Sequence, residues 1–461
     1  MGHTLTHMAV TLQFIGGADS VTGSKYLVRS GTQSLLVDCG LFQGFKQLRL
    51  RNWDALPVTP DSVDAVILTH AHLDHSGYVP KLQRDGFAGR VHVSPGTRDL
   101  CKILWPDSGH LQEEDAFFAN RHGFSKHSPA EPLYDRQDAV NSLALLQSHP
   151  WGEAFSPMPG WRATFSSAGH ILGASSLLLE VGERRILFSG DLGRPDDLIM
   201  NPPQDPPAAD TVLIESTYGN RVHPHEDAMA ELAPALQRAA ARSGVVVIPV
   251  FAVGRAQAIL HAIATLKAQG LVPHHLPIYL DSPMAVHTTD LFRHHPDGHR
   301  LSPAQMQAMQ DVAVMVESVQ DSKALAKRHG PKVILSASGM ATGGRVLHHL
   351  GLYLPDHRNM VILTGYQAPG TRGASLASGQ PSVRIHGRDV DVKAEVVCMA
   401  SASAHADSVQ LLQWLSRMPK PPGQVYVVHG EATASDALRW KIEHELGWRA
   451  RVPDHLSVWP L

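Results

Sequence analysis

One stretch of six residues restricts this chain more than any other: His70-Ala71-His72-Leu73-Asp74-His75, directly after the apolar run Ala65 to Leu68. Four groups able to hold a metal ion crowd into it. On a straight strand successive side chains point to opposite faces, so such a cluster can serve ions only where a strand ends and a loop turns its side chains to two sides. Imidazole nitrogen mixed with carboxylate oxygen suits zinc, and a loop of this kind can feed two adjacent ions. The chain carries 29 histidines, so spacing rather than number has to select the few that matter. The adjacent pairs His274-His275, His294-His295 and His348-His349 point apart and are read as ordinary surface or core residues.

A length of 461 residues exceeds what one hydrophobic core usually supports, so two globular units are expected. The first 210 residues read as short buried strands (Val10 to Ile15, Ser34 to Val37, Ala65 to Leu68, Ser175 to Leu179, Ile186 to Phe188), interrupted by a helical, charged insertion from Trp105 to Gly160. Four prolines between Asn201 and Pro207 mark a linker. From Thr211 the rhythm is strand, helix, strand: Val212 to Ile214, a helix near 227–241, Val245 to Val250, a helix from Arg255 to Ala268, Ile278 to Leu280, Val333 to Leu335 and Val361 to Leu363. That alternation predicts a parallel sheet with helices on its faces. Gly365 to Gly379 reads as a crossing segment, and Val396 to Met399 and Val425 to Val428 as buried strands. The expected division is 1–210, an inserted domain 211–380, and 381–461 returning to the first.

Three cysteines, Cys39, Cys101 and Cys398, are too few for a disulfide framework or a thiolate metal site and are read as buried thiols in a reducing cytoplasm. No leader and no membrane-spanning run is found, so a cytoplasmic protein is expected. Forty basic against 43 acidic residues argue against bulk attraction to nucleic acid. Locally the balance differs: between Ser322 and Arg388 nine Lys or Arg stand against Asp356 alone, a stretch expected to face a phosphate chain.

The six-residue cluster resembles the H-x-H-x-D-H signature of the metallo-β-lactamase superfamily. The likeness continues in order through Asp38, then His170 in Ala168-Gly169-His170, then Asp191 in Ser189-Gly190-Asp191. Beyond these, Ile214-Glu215-Ser216-Thr217-Tyr218-Gly219 is similar to motif A of the β-CASP nucleases, Ser403-Ala404-His405-Ala406-Asp407 to motif B, and Val427-Val428-His429-Gly430-Glu431 to motif C. The resemblance runs from about Leu12 to Glu431. It implies an α/β fold: the αββα sandwich of that superfamily with an inserted β-CASP domain.

The resemblance also implies roles. His70, His72 and His170 would bind one zinc, Asp74, His75 and His429 the other, with Asp191 bridging, giving two zinc ions per chain or manganese in their place. Asp38 would orient a ligand imidazole. Two ions about 4 Å apart make water the nucleophile, with Asp74 counted among the catalytic residues. His405, held by Glu215, would protonate the departing oxygen. Ser338, Gly343, Gly344, Arg345 and Arg372 would receive phosphate, Arg345 through its guanidinium fork. A histidine in motif C, His429, is the mark of members acting on RNA, so the expected function is hydrolysis of single-stranded RNA.

The other readings are a DNA-directed or dual nuclease and an inactive processing scaffold, which would have lost ligands that are all present here. A thioesterase or lactamase would need no His405, and a flavodiiron-type protein would carry Glu in place of His72. Neither an amino-terminal KH module nor a carboxyl-terminal domain of the ribonuclease J kind is expected. The partner is single-stranded RNA, no membrane is involved, and a homodimer is an assembly that the sequence leaves open.

Overall fold

The computed structural model describes residues 9–123, 125, 127–224, 228–399, 401 and 403–461. The chain divides into two compact units: one of 1–195, 202–222 and 405–461, the other of 196–201 and 223–404.

Among the described residues the first unit holds two seven-stranded sheets. One runs Val458–Pro460, Val10–Gly16, Lys25–Ser30, Gln33–Val37, Ala65–Ile67, Arg90–Val93, Leu146–Ser148 in spatial order. The other runs Ala450–Arg451, Gln424–Val428, Thr211–Glu215, Arg184–Phe188, Ser175–Val181, Trp161–Ser167, Ala154–Phe155. Their facing side chains alternate along each strand, as a period of two requires. Val10, Leu12 and Phe14 from one sheet and Phe165, Leu177, Leu179 and Phe188 from the other share one buried cluster. Aromatic pairs span it: Phe14 and Tyr426 rings lie 5.1 Å apart, Tyr26 and Phe188 6.0 Å. The insertion expected from Trp105 begins earlier, as a helix over Pro95–His122. Ser94 caps it by accepting from the Thr97 N–H, Pro95 stands at its first position, and Gly123 ends it at φ 63.

The second unit contains a six-stranded sheet in the order Val314–Val316, Ile278–Asp281, Lys332–Ser336, Val245–Pro249, Met360–Thr364, Glu395–Met399. Every pairing in it is parallel, as the strand and helix alternation predicts. Its central strands are apolar runs buried end to end, because helices cover both faces of a parallel sheet. The helix Arg255–Ala268 lies where expected. The helix expected near 227–241 runs Ala228–Ala241, and position 227 lies outside the described residues. The segment read as a plain crossing from Gly365 to Gly379 contains a helix, Arg372–Ala377, capped by Thr371.

Strand pairing moves both expected domain boundaries. Thr211–Glu215 is hydrogen-bonded between Arg184–Phe188 and Gln424–Val428, so it belongs to the first unit and not to the insertion. Glu395–Met399 pairs with Met360–Thr364, so the chain is still in the second unit there, on a half-exposed edge strand. The proline run is no domain linker for its whole length. From Pro202 it packs on the first unit, where the Gln204 N–H donates to Ser167 O at 2.9 Å and Trp414 Nε1 donates to Gln204 O at 2.8 Å. Cys398 is exposed, unlike Cys39 and Cys101. Among the described residues no helix is long and apolar enough to cross a membrane.

Candidate metal centre

The site is assembled from strand ends of the first unit. Gln33–Val37 delivers Asp38, Ala65–Ile67 the loop of His70 to His75, Arg184–Phe188 Asp191, Thr211–Glu215 its terminal Glu215, and Gln424–Val428 His429. His170 sits in the turn between Trp161–Ser167 and Ser175–Val181. Asp38 at φ 58 and His429 at φ 50 occupy left-handed backbone, costly for residues with a Cβ and typical of functional strand ends held by their surroundings. The loops approach so closely that two glycines are obligatory. A Cβ on Gly40 would lie 1.6 Å from Asp74 O, and one on Gly193 1.9 Å from Gly169 O.

Seven side chains gather in two groups, His70, His72, His170 and Asp191 in one, and Asp74, His75 and His429 in the other. In the first group, His72 Nδ1 lies 3.2 Å from both His70 Nε2 and His170 Nε2. Asp191 Oδ2 lies 3.6 and 3.7 Å from the same Nε2 atoms. A tetrahedron of ligands at the usual zinc distance has edges of about 3.3–3.4 Å. In the second group, His429 Nε2 is 3.4 Å and His75 Nε2 3.9 Å from Asp74 Oδ2, while Asp191 Oδ1 reaches His75 Nε2 at 3.2 Å. Buried His75 Nε2 and Asp191 Oδ1 make no hydrogen bond even so. Nitrogen and oxygen atoms turned on one another in this way, among them the carboxylates of Asp74 and Asp191, fit cations better than they fit each other.

Surrounding groups fix which ring nitrogen faces inward. Asp38, 1% exposed, accepts from the Thr69 N–H at 2.7 Å and from Thr69 Oγ1 at 2.9 Å, and its Oδ2 holds His75 Nδ1 at 2.8 Å. Thr69 Oγ1 in turn lies 3.2 Å from His70 Nδ1, so one carboxylate orients two imidazoles with Nε2 turned to the centre. Thr217 Oγ1 lies 3.2 Å from His429 Nδ1. Neither threonine was singled out from the sequence, although each adjoins a motif residue. Burial, and then the neighbouring His75, hold His70 well below the ordinary histidine range, and burial brings His72 down to about 4. Both rings are thereby held neutral, the form in which an imidazole can bind a metal. Burial opposes charge on His75, but the carboxylates of Asp191 and Asp38 outweigh it and raise its proton affinity well above that range.

His405 stands beside these groups. Its Nδ1 is 3.1 Å from Glu215 Oε1 and 3.9 Å from Asp191 Oδ2. Glu215, 1% exposed, also accepts from the Leu192 N–H at 2.9 Å and the Thr217 N–H at 3.1 Å. The His405 loop is pinned on its carboxyl-terminal side. The Ala406 N–H donates to Leu192 O at 2.8 Å, and Asp407 caps the helix Ser408–Ser416 in a reciprocal box with Gln410. Burial works against charge on His405, yet the Glu215 carboxylate prevails and raises its proton affinity.

The residues expected to receive phosphate lie in the second unit, where Ser338 and Arg372 both bond Thr342, the residue before Gly343 and Gly344. Arg345 is committed internally: Nη1 donates to buried Asp281 at 2.8 Å and to Val316 O at 3.2 Å, and Nη2 to Glu317 O at 2.6 Å. His349 and Ser322 meet the same carboxylate, each at 2.6 Å. Three of the five N–H groups of Arg345 are therefore engaged within the protein, which makes it a clamp on Asp281 and the Val316–Glu317 backbone rather than the open phosphate fork expected of it. Arg372 likewise donates to Arg384 O at 2.6 Å and Thr342 O at 3.1 Å. Ser338 Oγ accepts from the Thr342 N–H at 2.9 Å. Gly343 has open space where a Cβ would stand, and Gly344, at φ 75, begins the helix Arg345–Tyr353.

Comparison with known proteins agrees with this arrangement. The family model of the metallo-beta-lactamase superfamily matches residues 21–249, that of the Beta-Casp domain 256–376, and that of the Zn-dependent metallo-hydrolase RNA specificity domain 389–453. Ribonuclease TTHA0252 of Thermus thermophilus is 36% identical over 90% of this chain and 92% of its own. The chain belongs to the Beta-Casp branch of the metallo-beta-lactamase superfamily. Further Beta-Casp relatives include Transcription termination factor FttA of Methanocaldococcus jannaschii, 30% identical over 92% of this chain and 67% of its own. An RNase J-like protein of the same organism is 29% identical over 98% and 100%. A solved structure, a protein of unknown function from Enterococcus faecalis, shares the fold with a TM-score of 0.53 at 14% identity, covering 98% of this chain and all of its own. As a member of this branch the chain is a metal-dependent hydrolase.

Proposed function

We propose that this Beta-Casp protein is a ribonuclease that hydrolyses phosphodiester bonds of single-stranded RNA with two zinc ions. His70, His72 and His170 would hold one ion and Asp74, His75 and His429 the other, with Asp191 between them. Two ions so held would lower the pKa of a water molecule and neutralise charge gathering on the phosphoryl oxygens. Asp38 and Thr69 keep two imidazoles aimed, and Thr217 does the same for His429.

The observation that carries a nuclease over other hydrolases of this fold is the His405–Glu215 pair. Phosphodiester cleavage expels an alkoxide that needs a proton, and the Glu215 carboxylate on Nδ1 both charges the ring and assigns delivery to Nε2. His405 also lies near enough to Asp191 and Glu215 to complete a cation-binding trio. We read it as an acid because Glu215 occupies the nitrogen that faces that trio. RNA is favoured over DNA by His429 in motif C and by the relative that bears the name ribonuclease. Backbone N–H groups at Gly343 and Gly344 remain the phosphate contacts that we assign to the second unit.

The test is incubation of zinc-loaded protein with end-labelled single-stranded RNA and DNA of one sequence, followed by sizing of the products. RNA cleavage that EDTA abolishes and zinc restores is the expected result. Equal cleavage of DNA overturns the RNA preference, and intact RNA overturns the nuclease.

A further inference from the structure

We infer that the segment Phe45 to Trp53 is a base-stacking platform for single-stranded RNA, built onto the loop that carries Asp38. This rests on the ribonuclease reading and deepens it by naming a surface that grips unpaired bases. Phe45 is 50% exposed, Leu50 54% and Trp53 56%. Single exposed apolar residues are ordinary, but three large ones within nine positions, two of them aromatic, are a patch with a use. Between them stand Lys46, Arg49 and Arg51, with no acid from Phe42 to Trp53. Lys46 and Arg49 are exposed, and Arg51 lies over the ring of buried Phe42 at 5.6 Å. Asp115 on the helix Pro95–His122 is the acid whose field Arg49 meets.

The geometry suits stacking. The helix Lys46–Leu50 starts with the Arg49 N–H donating to Phe45 O, and turns continue until the Trp53 N–H donates to Leu50 O. Phe45, Arg49 and Trp53 thus recur at a spacing of four across this short helix and the turns that flank it, which places two rings and a guanidinium within one segment of nine residues. Bases stack on aromatic faces and on guanidinium planes whatever their identity, while cations beside them track the phosphates. A protein partner would favour an uncharged apolar patch, whereas this one interleaves rings with cations only.

The platform is rigidly joined to the metal loops. Asn52, 8% exposed, closes a two-way bridge with Phe42: the Phe42 N–H donates to Asn52 Oδ1 at 2.9 Å, and Asn52 Nδ2 donates to Phe42 O at 2.8 Å. The next residue back, Leu41, donates its N–H to Leu73 O at 2.8 Å, and the Cys39 N–H reaches His75 O at 2.7 Å. Seven residues separate Phe45 from Asp38, so the platform begins at most about 25 Å from it. A strand of a few nucleotides can therefore touch both.

The test compares wild type with Phe45→Ala/Trp53→Ala, using a fluorescein-labelled 20-nucleotide oligoadenylate. Affinity is measured by anisotropy in EDTA, and cleavage is followed with zinc-loaded protein. Each stacked base lost should weaken binding by roughly 5- to 150-fold. KM should rise accordingly, kcat should fall far less, and Phe45→Trp/Trp53→Phe should restore affinity. Affinity unchanged in the double alanine variant overturns the platform. So does full affinity in Phe45→Leu/Trp53→Leu, which would mark a merely apolar surface suited to a protein partner. Wild type that binds without cleaving sinks the ribonuclease reading while the affinity comparison still decides the platform. Wild type that neither binds nor cleaves sinks both.

Discussion

Replacing Glu215 by Gln tests the proposed acid without disturbing the metals. In the native site the carboxylate accepts three N–H groups, from Leu192, Thr217 and His405. A glutamine amide has one oxygen, so its NH2 must turn on Thr217 or on the Leu192 and His405 pair, leaving a buried donor unmatched at about 1–3 kcal/mol of stability. The charged His405 ring also loses an acceptor worth about 1.5–3 kcal/mol, which corresponds to roughly 10- to 150-fold in rate if the proton is transferred in the slow step. His405→Ala removes the donor itself and should cost about 100-fold or more. Because Glu215 acts through His405, the double variant should be scarcely slower than His405→Ala alone. The assay is single-turnover cleavage of end-labelled RNA at saturating enzyme, with elemental analysis of each variant. A His405→Ala protein that keeps two zinc ions and cleaves at the wild-type rate would refute the acid, as would losses that multiply in the double variant.

Asp191→Ala should lose both ions, because Asp191 faces both ligand groups, whereas His429→Ala should lose mainly one; elemental analysis against about two zinc per wild-type chain decides this. Arg345→Ala should lower the stability of the second unit by about 2–3 kcal/mol, since buried Asp281 keeps only His349 and Ser322. All eight tryptophans lie in the first unit, so the circular dichroism transition should fall more than the fluorescence transition. Lys25, buried against Phe42 and Tyr78 and bonded to Gly40 O, is brought down to about 8 by burial. The unfolded chain holds that proton up to about 10.5, so below pH 8 the native state carries a cost of about 3 kcal/mol, relieved as pH rises from 8 to 10.5. Burial raises the thiols of Cys39 and Cys101 above their ordinary range, which lowers stability over the same pH range, so Lys25→Met should make stability fall more steeply from pH 8 to 10.5 than it does in wild type, and identical slopes in the two proteins would show that Lys25 does not titrate there.

Most of the centre can be read from one dimension, because its ligands sit at strand ends and a strand end is a local event: an apolar run followed by a polar, glycine-containing turn. His70 to His75, His170, Asp191 and His429 announce themselves in this way, and the inserted parallel sheet shows in its buried runs and intervening helices. Partnership does not show. Whether Thr211–Glu215 closes one domain or opens the next depends on which strands it pairs with, and only the ladder to Gln424–Val428, more than two hundred residues on, assigns it. The role of Arg345 depends on the acid that meets it: in sequence it is a cation beside two glycines, but in three dimensions Asp281, 64 residues earlier, takes its guanidinium. Thr69 and Thr217 likewise gain their roles only when Asp38 and His429 are brought against them. The sequence by itself determined which atoms could bind metal and on which strand ends they stand. Tertiary structure alone decided which of them meet, since hydrogen bonds and charge act over a few ångströms of space whatever the separation along the chain.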